Sequence, residues 1–141
     1  MTVMYKSVAK AEPGVVGGGQ MKYYAAIVRE RPVGLRKFAN AIARTSRLNT
    51  SDVFGILETF LDNLHEYLEE GRIIQLGDLG TFTPSINSLG SDTSEGVSRA
   101  SIIRFKVNFR PGKYLRKRLS QVEFSKVVND STEEEDPEVQ A

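Results

Sequence analysis

The sequence has no cysteine and only one histidine, His65, among its 141 residues. The lack of cysteine excludes disulfides, thiolate zinc sites and cysteine nucleophiles, and a single histidine cannot form a two-histidine metal site. The sequence also shows no pairing of a nucleophile with a base and no phosphate-binding loop. It therefore predicts no metal, no cofactor, no small-molecule substrate and no enzymatic activity.

Long hydrophobic runs are missing as well. No window approaches the roughly 18 consecutive apolar residues that a membrane-spanning helix needs, and the amino terminus lacks the basic-then-apolar pattern of a signal peptide. We therefore expect no membrane association and a cytoplasmic location. A chain with 40% hydrophobic residues and this length can build one modest core, so one domain with extensions is expected.

Acidic and basic residues are segregated along the chain. The last dozen positions hold six of the 18 acidic residues, which leaves 19 basic and 12 acidic residues in the rest, a net charge of +7 there. Between Asp52 and Asp78 there are seven acidic residues and one basic residue, whereas from Arg99 to Arg118 there are eight basic residues and no acidic one. This segregation favours an electropositive face for a polyanion, and a merely solvated basic surface fits it equally well.

The amino-terminal part and the segment that follows it differ in their periodicity. Two β-prone runs on either side of the glycine-rich stretch 13–19 predict a strand, a loop and a strand within residues 1–34. The apolar period of a helix then begins at Leu35 and continues to about Arg47. The order of elements so far is therefore two strands followed by an amphipathic helix.

A second helix follows the first. Asn49 is placed to cap its start and Gly71 to end it. Its apolar stripe is broad, and a small chain buries such a stripe most readily against a second copy. His65 lies beside the stripe, and we expect it to be an ordinary surface or interface residue.

Strands dominate the next part of the chain. Strands are predicted at 72–76 and 81–83, with a turn between them. The alternation in 101–109 predicts a strand with one apolar face toward the core and one cationic face. Pro111 is well placed to start a short helix that carries Lys113 to Leu119.

The end of the chain changes character twice. Weak alternation in 122–128 predicts a last strand that pairs with the amino-terminal segment. From Asn129 the composition is acidic and nearly free of large apolar residues, which predicts a disordered tail. This tail is either an inert terminus or a competitor of DNA for the basic face.

Residues 35–119 resemble the HU and integration host factor family of bacterial histone-like proteins. The resemblance is carried by Leu48 to Val53, Gly71 to Phe82 and Phe109 to Arg116. The glycine-containing turn before Thr81-Phe82 and the later Phe-x-x-Gly-Lys-x-Leu run, taken together, are fairly specific for this family. The Lys-Tyr-Tyr-Ala run from Lys22 resembles an extended HU-like subgroup with an amino-terminal preface.

The resemblance implies an α+β fold and an intertwined dimer. Helices would form its base, under a three-stranded antiparallel sheet, and each subunit would extend a β-arm around the minor groove of double-stranded DNA. The expected domains are an amino-terminal β extension at 1–34, an HU-like DNA-binding domain at 35–128 and an acidic tail at 129–141. The expected function is architectural, largely sequence-nonspecific DNA binding in the nucleoid, by a homodimer or a mixed dimer with a paralogue.

The resemblance and the charge pattern together predict the site residues. In the family, basic residues at the positions of Arg110, Lys113 and Arg116 contact phosphates, and the rest of the acid-free segment extends this set. The predicted DNA contacts are Arg99, Arg104, Lys106, Arg110, Lys113, Arg116, Lys117 and Arg118. The predicted dimer interface is formed by Phe54, Leu57, Phe60, Leu61, Leu64, Phe82 and Phe105.

The predicted arm departs from the family pattern. Its outgoing strand, 83–89, has no basic residue, and its tip, 90–96, has two acidic residues and no proline, which argues against wedge-type kinking of DNA. One alternative is therefore a dimeric interaction module without DNA bending, in which Asp92, Glu95 and the amino-terminal segment recruit protein partners. A second is RNA binding by the strand 101–109, but the predicted core-facing aromatics argue against base stacking.

Overall fold

The computed structural model describes residues 1–128, and the acidic tail lies outside this range. The described chain divides into two compact units. The sheet unit consists of Met1–Arg31 and the segment that begins at Gln121, and the helical unit consists of Pro32–Ser120. Both helices and three-stranded sheets are present, which agrees with the predicted α+β class.

The sheet unit is a three-stranded sheet in which the amino-terminal strand is central. Strand β1 (Thr2–Ala11) is antiparallel to β2 (Met21–Ile27), and the glycine-rich loop connects them. The predicted arrangement of strand, loop and strand is thus confirmed. On its other side β1 pairs in parallel with the last strand of the described chain, Glu123–Lys126.

This last strand confirms the predicted pairing of residues 122–128 with the amino-terminal segment. Val3 lies opposite Phe124, and Tyr5 lies opposite Lys126. The expected grouping of 35–128 into one domain differs from the observed units, because the backbone hydrogen bonds of this strand go to β1 and the helical unit ends at Ser120.

The helical unit begins with two helices whose predicted ends are confirmed. They are α1 (Leu35–Ser46) and α2 (Thr50–Glu69). Asn49 caps α2, since its side-chain oxygen accepts the backbone N–H of Asp52 at 2.9 Å. At the other end Gly71 has a φ of 77°, which favours glycine, and its N–H bonds to the carbonyl of Leu68 at 2.9 Å.

The core between α1 and α2 is small. Ala39, Ala43 and Val53 form the buried cluster, and their small side chains let the two helices approach closely. Elsewhere in the described chain Leu68 is the one other buried apolar residue. Half of the predicted apolar stripe of α2 is therefore exposed within the protomer: Ile56, Phe60, Leu61 and Tyr67.

An antiparallel sheet follows the helices, in the order β3-β4-β5. Its strands are β3 (Ile74–Gln75), β4 (Gly80–Ser88) and β5 (Ile102–Pro111), and α3 (Lys113–Leu119) comes directly after it. The bounds of α3 are those predicted, but Pro111, which was expected to start the helix, is the last residue of β5, and Gly112 is the N-cap. β3 is shorter than the predicted strand at 72–76, because only its two residues pair with β4, and β4 is longer than predicted.

One face of the β4/β5 ribbon is apolar and open. Phe82 lies opposite Phe109, with ring centroids 4.8 Å apart, and Ile86 lies opposite Phe105. Phe105 is 51% exposed and Phe109 is 46% exposed. The prediction that this face is buried is therefore wrong for the protomer, because none of the described helices covers it.

Candidate nucleic-acid interface

The other face of the β4/β5 ribbon carries the cations of β5. Side chains alternate between the two faces of a strand, so Arg104, Lys106 and Arg110 point to the same side. They lie opposite Asn87, Ser85 and Thr81 of β4, all of which are neutral. The face thus combines a row of positive charges with uncharged hydrogen-bonding groups.

These cations are far enough apart to contact separate anionic groups. Alternate residues of a strand are about 6.7 Å apart, so the row from Arg104 to Arg110 is roughly 20 Å long. Within residues 1–128 the ion pairs are Lys22 with Glu12 and Arg72 with Glu70, and neither involves this row. All three side chains are exposed, so their charges face solvent within the described chain.

The row continues into α3, which has four cations and no acidic residue in seven positions. Lys113, Arg116 and Lys117 are spaced three and four residues apart and therefore share one helix face, whereas Arg118 lies on another side. The structure thus brings Lys113, Arg116 and Lys117 next to the strand end that carries Arg110.

A tight turn holds the junction between β5 and α3. The N–H of Gly112 donates to the carbonyl of Leu79 at 3.1 Å, and a Cβ at Gly112 would overlap the backbone carbonyl of Asp78. Likewise, a Cβ at Gly80 would lie 2.9 Å from the ring of Phe109, and Gly80 has a φ of 138°. The two motifs of the resemblance are therefore parts of one joint that fixes where α3 begins.

This joint gives a first prediction. Gly112→Ala should lower the free energy of unfolding by about 1–3 kcal/mol, because the added methyl group must displace the turn at Asp78. Its backbone φ of −67° suits alanine, so the effect comes from the close contact alone. Thermal unfolding at a fixed protein concentration measures it.

Gly90→Ala is the matched control, since a Cβ there meets no atom within 4 Å. Its free energy of unfolding should change by less than about 0.5 kcal/mol. Equal melting temperatures for the two variants would show that the joint does not constrain α3.

Arg99 is separate from the other predicted contacts. It begins a short 3-10 turn, Arg99–Ser101, that precedes β5, at the opposite end of the strand from α3. The carbonyl of Ser101 accepts the N–H of Leu89 at 2.8 Å, which closes the ribbon at this end. The predicted set therefore divides into a group around α3, two cations along the ribbon and Arg99 at its far end.

The tip of the ribbon has no positive charge. No lysine or arginine occurs from Ile73 to Ser98, and the tip carries Asp92 and Glu95. Hydrogen bonds within the tip include Gly96 N–H to the Thr93 carbonyl at 3.2 Å, so the loop has defined local structure. The acidic tip expected from the sequence is thus part of the ribbon and has hydrogen bonds of its own.

Five of the seven predicted interface residues lie on the two open apolar faces. Phe54 and Leu57 pack partly against the core of their own protomer. Phe60 and Leu61 of α2 are 39% and 37% exposed, Leu64 and Phe82 are half-buried, and Phe105 belongs to the open ribbon face.

Sequence reasoning missed a further group of cations, on α1. The helix contains Arg36, Lys37 and Arg44 and no acidic residue, and Arg47 follows it. The signal was present in the sequence, as an amphipathic helix whose charges are all of one sign. These residues were overlooked because helical spacing spreads them out, whereas the cations of β5 and α3 form a dense run.

Other chemistry is not apparent in the part of the chain that the structure describes. Residues 1–128 contain no cluster of three or more histidine, cysteine or acidic side chains that could hold a metal ion. None of the helices in this range is both long and apolar enough to cross a membrane. The charged ribbon and helices remain the distinctive features.

The features by which this chain can be assigned to a family are a basic β-ribbon, the short basic helix joined to it and a two-helix core. The family model HU-HIG, described as an HU domain fused to wHTH, Ig, or Glycine-rich motif, matches residues 1–126. The chain therefore belongs to the HU-HIG family. The predicted relation to HU proteins is confirmed, and the match begins at the first strand of the sheet unit. Comparison with curated proteins finds no match.

Two solved structures are similar in fold. One, provisionally described as a bacterial DNA-binding protein from Bacteroides vulgatus, has a TM-score of 0.67 at 12% identity and covers 89% of this chain and 48% of its own. The other is HU from Anabaena in a cocrystal with DNA, with a TM-score of 0.51 at 15% identity, covering 63% of this chain and 99% of its own. This chain thus spans about half the length of the Bacteroides vulgatus protein.

Proposed function

We propose that this protein binds double-stranded DNA through β5 and α3, largely without sequence specificity, as an architectural component of the bacterial nucleoid in the cytoplasm. The observation that carries the proposal is the acid-free group formed by Arg110 at the end of β5 and Lys113, Arg116 and Lys117 on α3. Membership of the HU-HIG family and the fold shared with HU from Anabaena support it.

The chemistry of this group suits a phosphate backbone. Exposed lysine and arginine side chains neutralise phosphates and release condensed counterions, which supplies affinity that does not depend on base sequence. Arg104 and Lys106 extend the same charge along the ribbon. No group in this surface calls for catalysis or a cofactor, so we assign the protein a binding function.

We further propose that the protein acts as a dimer, either of two identical chains or with a paralogue. Four buried apolar residues are a small core for a chain of this size, and two apolar faces are open, one on α2 and one on the ribbon. In such a dimer the ribbon face of one protomer would cover Phe60 and Leu61 of the other. Both open apolar faces would then be buried.

In this proposal the ribbon is the DNA-contacting arm, and it acts through one strand. Its cations lie on β5 alone, because β4 contributes only neutral side chains to the polar face. Asp92 and Glu95 at the tip would be repelled from a minor groove, and no proline is present there to wedge between base steps. We therefore expect the arm to follow the backbone of DNA without kinking it.

A salt series tests the DNA binding. If Arg110, Lys113 and Arg116 of both subunits each contact one phosphate, the logarithm of the association constant should fall with that of the salt concentration with a slope of about −5. Two unrelated duplexes of equal length should bind within about tenfold of each other. Fluorescence anisotropy with the full chain measures both. A slope near zero, or no binding at low ionic strength, would contradict the proposal.

The acidic tip favours a second candidate function. Asp92 and Glu95, together with the exposed Leu89 and Val97 beside them, form a surface that suits a protein partner better than DNA. In this alternative the HU-like dimer is an interaction module with weak DNA binding and no bending. The charge reversal described in the Discussion separates the two functions.

A further inference from the structure

The cations of α1 form a second basic surface, on a different element from β5 and α3. The helix turns Ala39 and Ala43 toward α2, and Lys37 and Arg44 lie on its exposed side. Arg36 lies toward α2, and Arg47 caps the end of the helix. Helical rise places Lys37 and Arg44 about 10 Å apart along the axis. The exposed side of α1, with Lys37, Arg44 and the following Arg47, is therefore a strip of positive charge without an acidic residue.

Part of this strip lines an open groove. Lys37, Asn40 and Arg44, at helical spacing, form one wall, and Asn49 and Thr50 at the start of α2 form the other. The groove has a volume of about 700 Å³ and offers ammonium, guanidinium and amide donors together. Such a combination suits the oxygens of a phosphodiester backbone.

The charges of this strip are available. In the described part of the chain neither ion pair involves α1, and the helix itself has no acidic residue. Asp52, the first acidic residue after α1 in the sequence, accepts a hydrogen bond from the side chain of Asn49 at 2.8 Å and does not line the groove. Arg36 stacks over the ring of Phe54 at 4.7 Å, which leaves Lys37, Arg44 and Arg47 as the cations free to bind.

An acidic helix separates this strip from the first basic surface. The polar side of α2 carries Glu58, Asp62, Glu66 and Glu69, and α2 has no basic residue. It packs against α1 and also contacts β3 of the sheet. A duplex that ran continuously from β5 and α3 to α1 would pass these carboxylates, so the charge pattern favours two separately bound duplexes over one longer contact.

We propose that the exposed half of α1, with Lys37, Asn40 and Arg44 at its centre, binds the phosphate backbone of a second DNA duplex, so that the protein bridges two duplexes. This inference rests on the DNA binding proposed above. Binding by α1 differs from binding by β5 and α3 both in its site and in its consequence. β5 and α3 hold one duplex, whereas bridging brings distant segments of DNA together.

A bridging assay with the full chain tests the inference. One duplex is immobilised on beads, and a second, fluorescent duplex of the same sequence is retained only when the protein holds both. The variant K37Q/R44Q should retain the fluorescent duplex about tenfold less than the wild type at 50 mM salt, because it lacks two phosphate contacts in each protomer. Its affinity for a single duplex in solution should stay within about twofold of the wild type.

The matched control is K6Q/K10Q, which removes the same charge from exposed positions of β1 in the sheet unit. It should bridge as well as the wild type. The inference is overturned if K37Q/R44Q bridges normally, if the control loses bridging equally, or if the wild type binds one duplex and never a second. It is also overturned if K37Q/R44Q loses single-duplex affinity in proportion to bridging, because α1 would then belong to the first site. Failure of the wild type to bind any duplex would refute the proposed function itself.

Discussion

Reversing the charge of Arg110, Lys113 and Arg116 to glutamate should lower DNA affinity at least about 100-fold at 100 mM salt. The three side chains lie on either side of the joint between β5 and α3, so they act on the same stretch of backbone. Each reversal removes one phosphate contact and adds a repulsive carboxylate, in both subunits of the proposed dimer. Fluorescence anisotropy against a short duplex, with circular dichroism to check folding, measures the effect.

The matched control reverses Lys6, Lys10 and Lys126, which are exposed and lie in the sheet unit. The net charge of this control is identical to that of the R110E/K113E/R116E protein. A loss of affinity common to both variants would therefore reflect net charge and would count against the proposed site. If the R110E/K113E/R116E protein keeps its DNA affinity, the architectural function is wrong. If DNA affinity is weak in the wild type and a protein partner is still bound by this variant, the interaction module is the better description.

Replacing Phe60 by glutamate should break the proposed dimer. Phe60 is 39% exposed in the protomer, on the open stripe of α2. In an isologous interface the change occurs twice, and each copy loses about 1.5–3 kcal/mol of apolar burial besides placing a carboxylate among apolar groups. The dimer dissociation constant should rise more than about 100-fold, which corresponds to about 2.7 kcal/mol. Sedimentation equilibrium over a range of concentrations measures it.

Thr59→Glu is the control for this change, because it adds the same charge at the neighbouring position of α2. Thr59 is exposed, and its hydroxyl donates only to the carbonyl of Gly55, at 2.9 Å. The control should dissociate within about threefold of the wild type, which corresponds to about 0.65 kcal/mol. A dimer that tolerates glutamate at position 60 would show that the open stripe of α2 is not the interface.

Local structure in this protein could be predicted closely from sequence because local chemistry decides it. Asn49 can satisfy the free N–H of Asp52, and Gly71 can adopt a positive φ, so the two ends of α2 follow from two residues. α3 begins after Gly112, whose N–H is held by the carbonyl of Leu79 and whose own carbonyl accepts the first helical hydrogen bond, from Arg116. The relation to HU proteins could be predicted because its two motifs meet in one joint, where glycine is required at positions 80 and 112.

Long-range organisation was harder to predict. The alternation in β5 indicates that Phe105 and Phe109 are suited to burial, but it does not say whether their own chain or a second copy covers them. The pairing of the last strand with β1 was predicted, yet the domain boundary that follows from it was not, because sequence order placed that strand after α3. The cations of α1 were missed since their spacing hides them within a helix.

The parallel pairing of β1 with the last strand sets an order on the synthesis of this protein. Val3 pairs with Phe124, so the ribosome adds about 120 residues after Val3 before the second neighbour of β1 exists. At roughly 5–20 residues per second this takes on the order of 6–24 s. Meanwhile β1 pairs only with β2 and leaves one edge open, which is a template for pairing with another nascent chain. All residues of the helical unit are made within that interval, so the proposed DNA-binding elements β5 and α3 can fold before the amino-terminal sheet is closed.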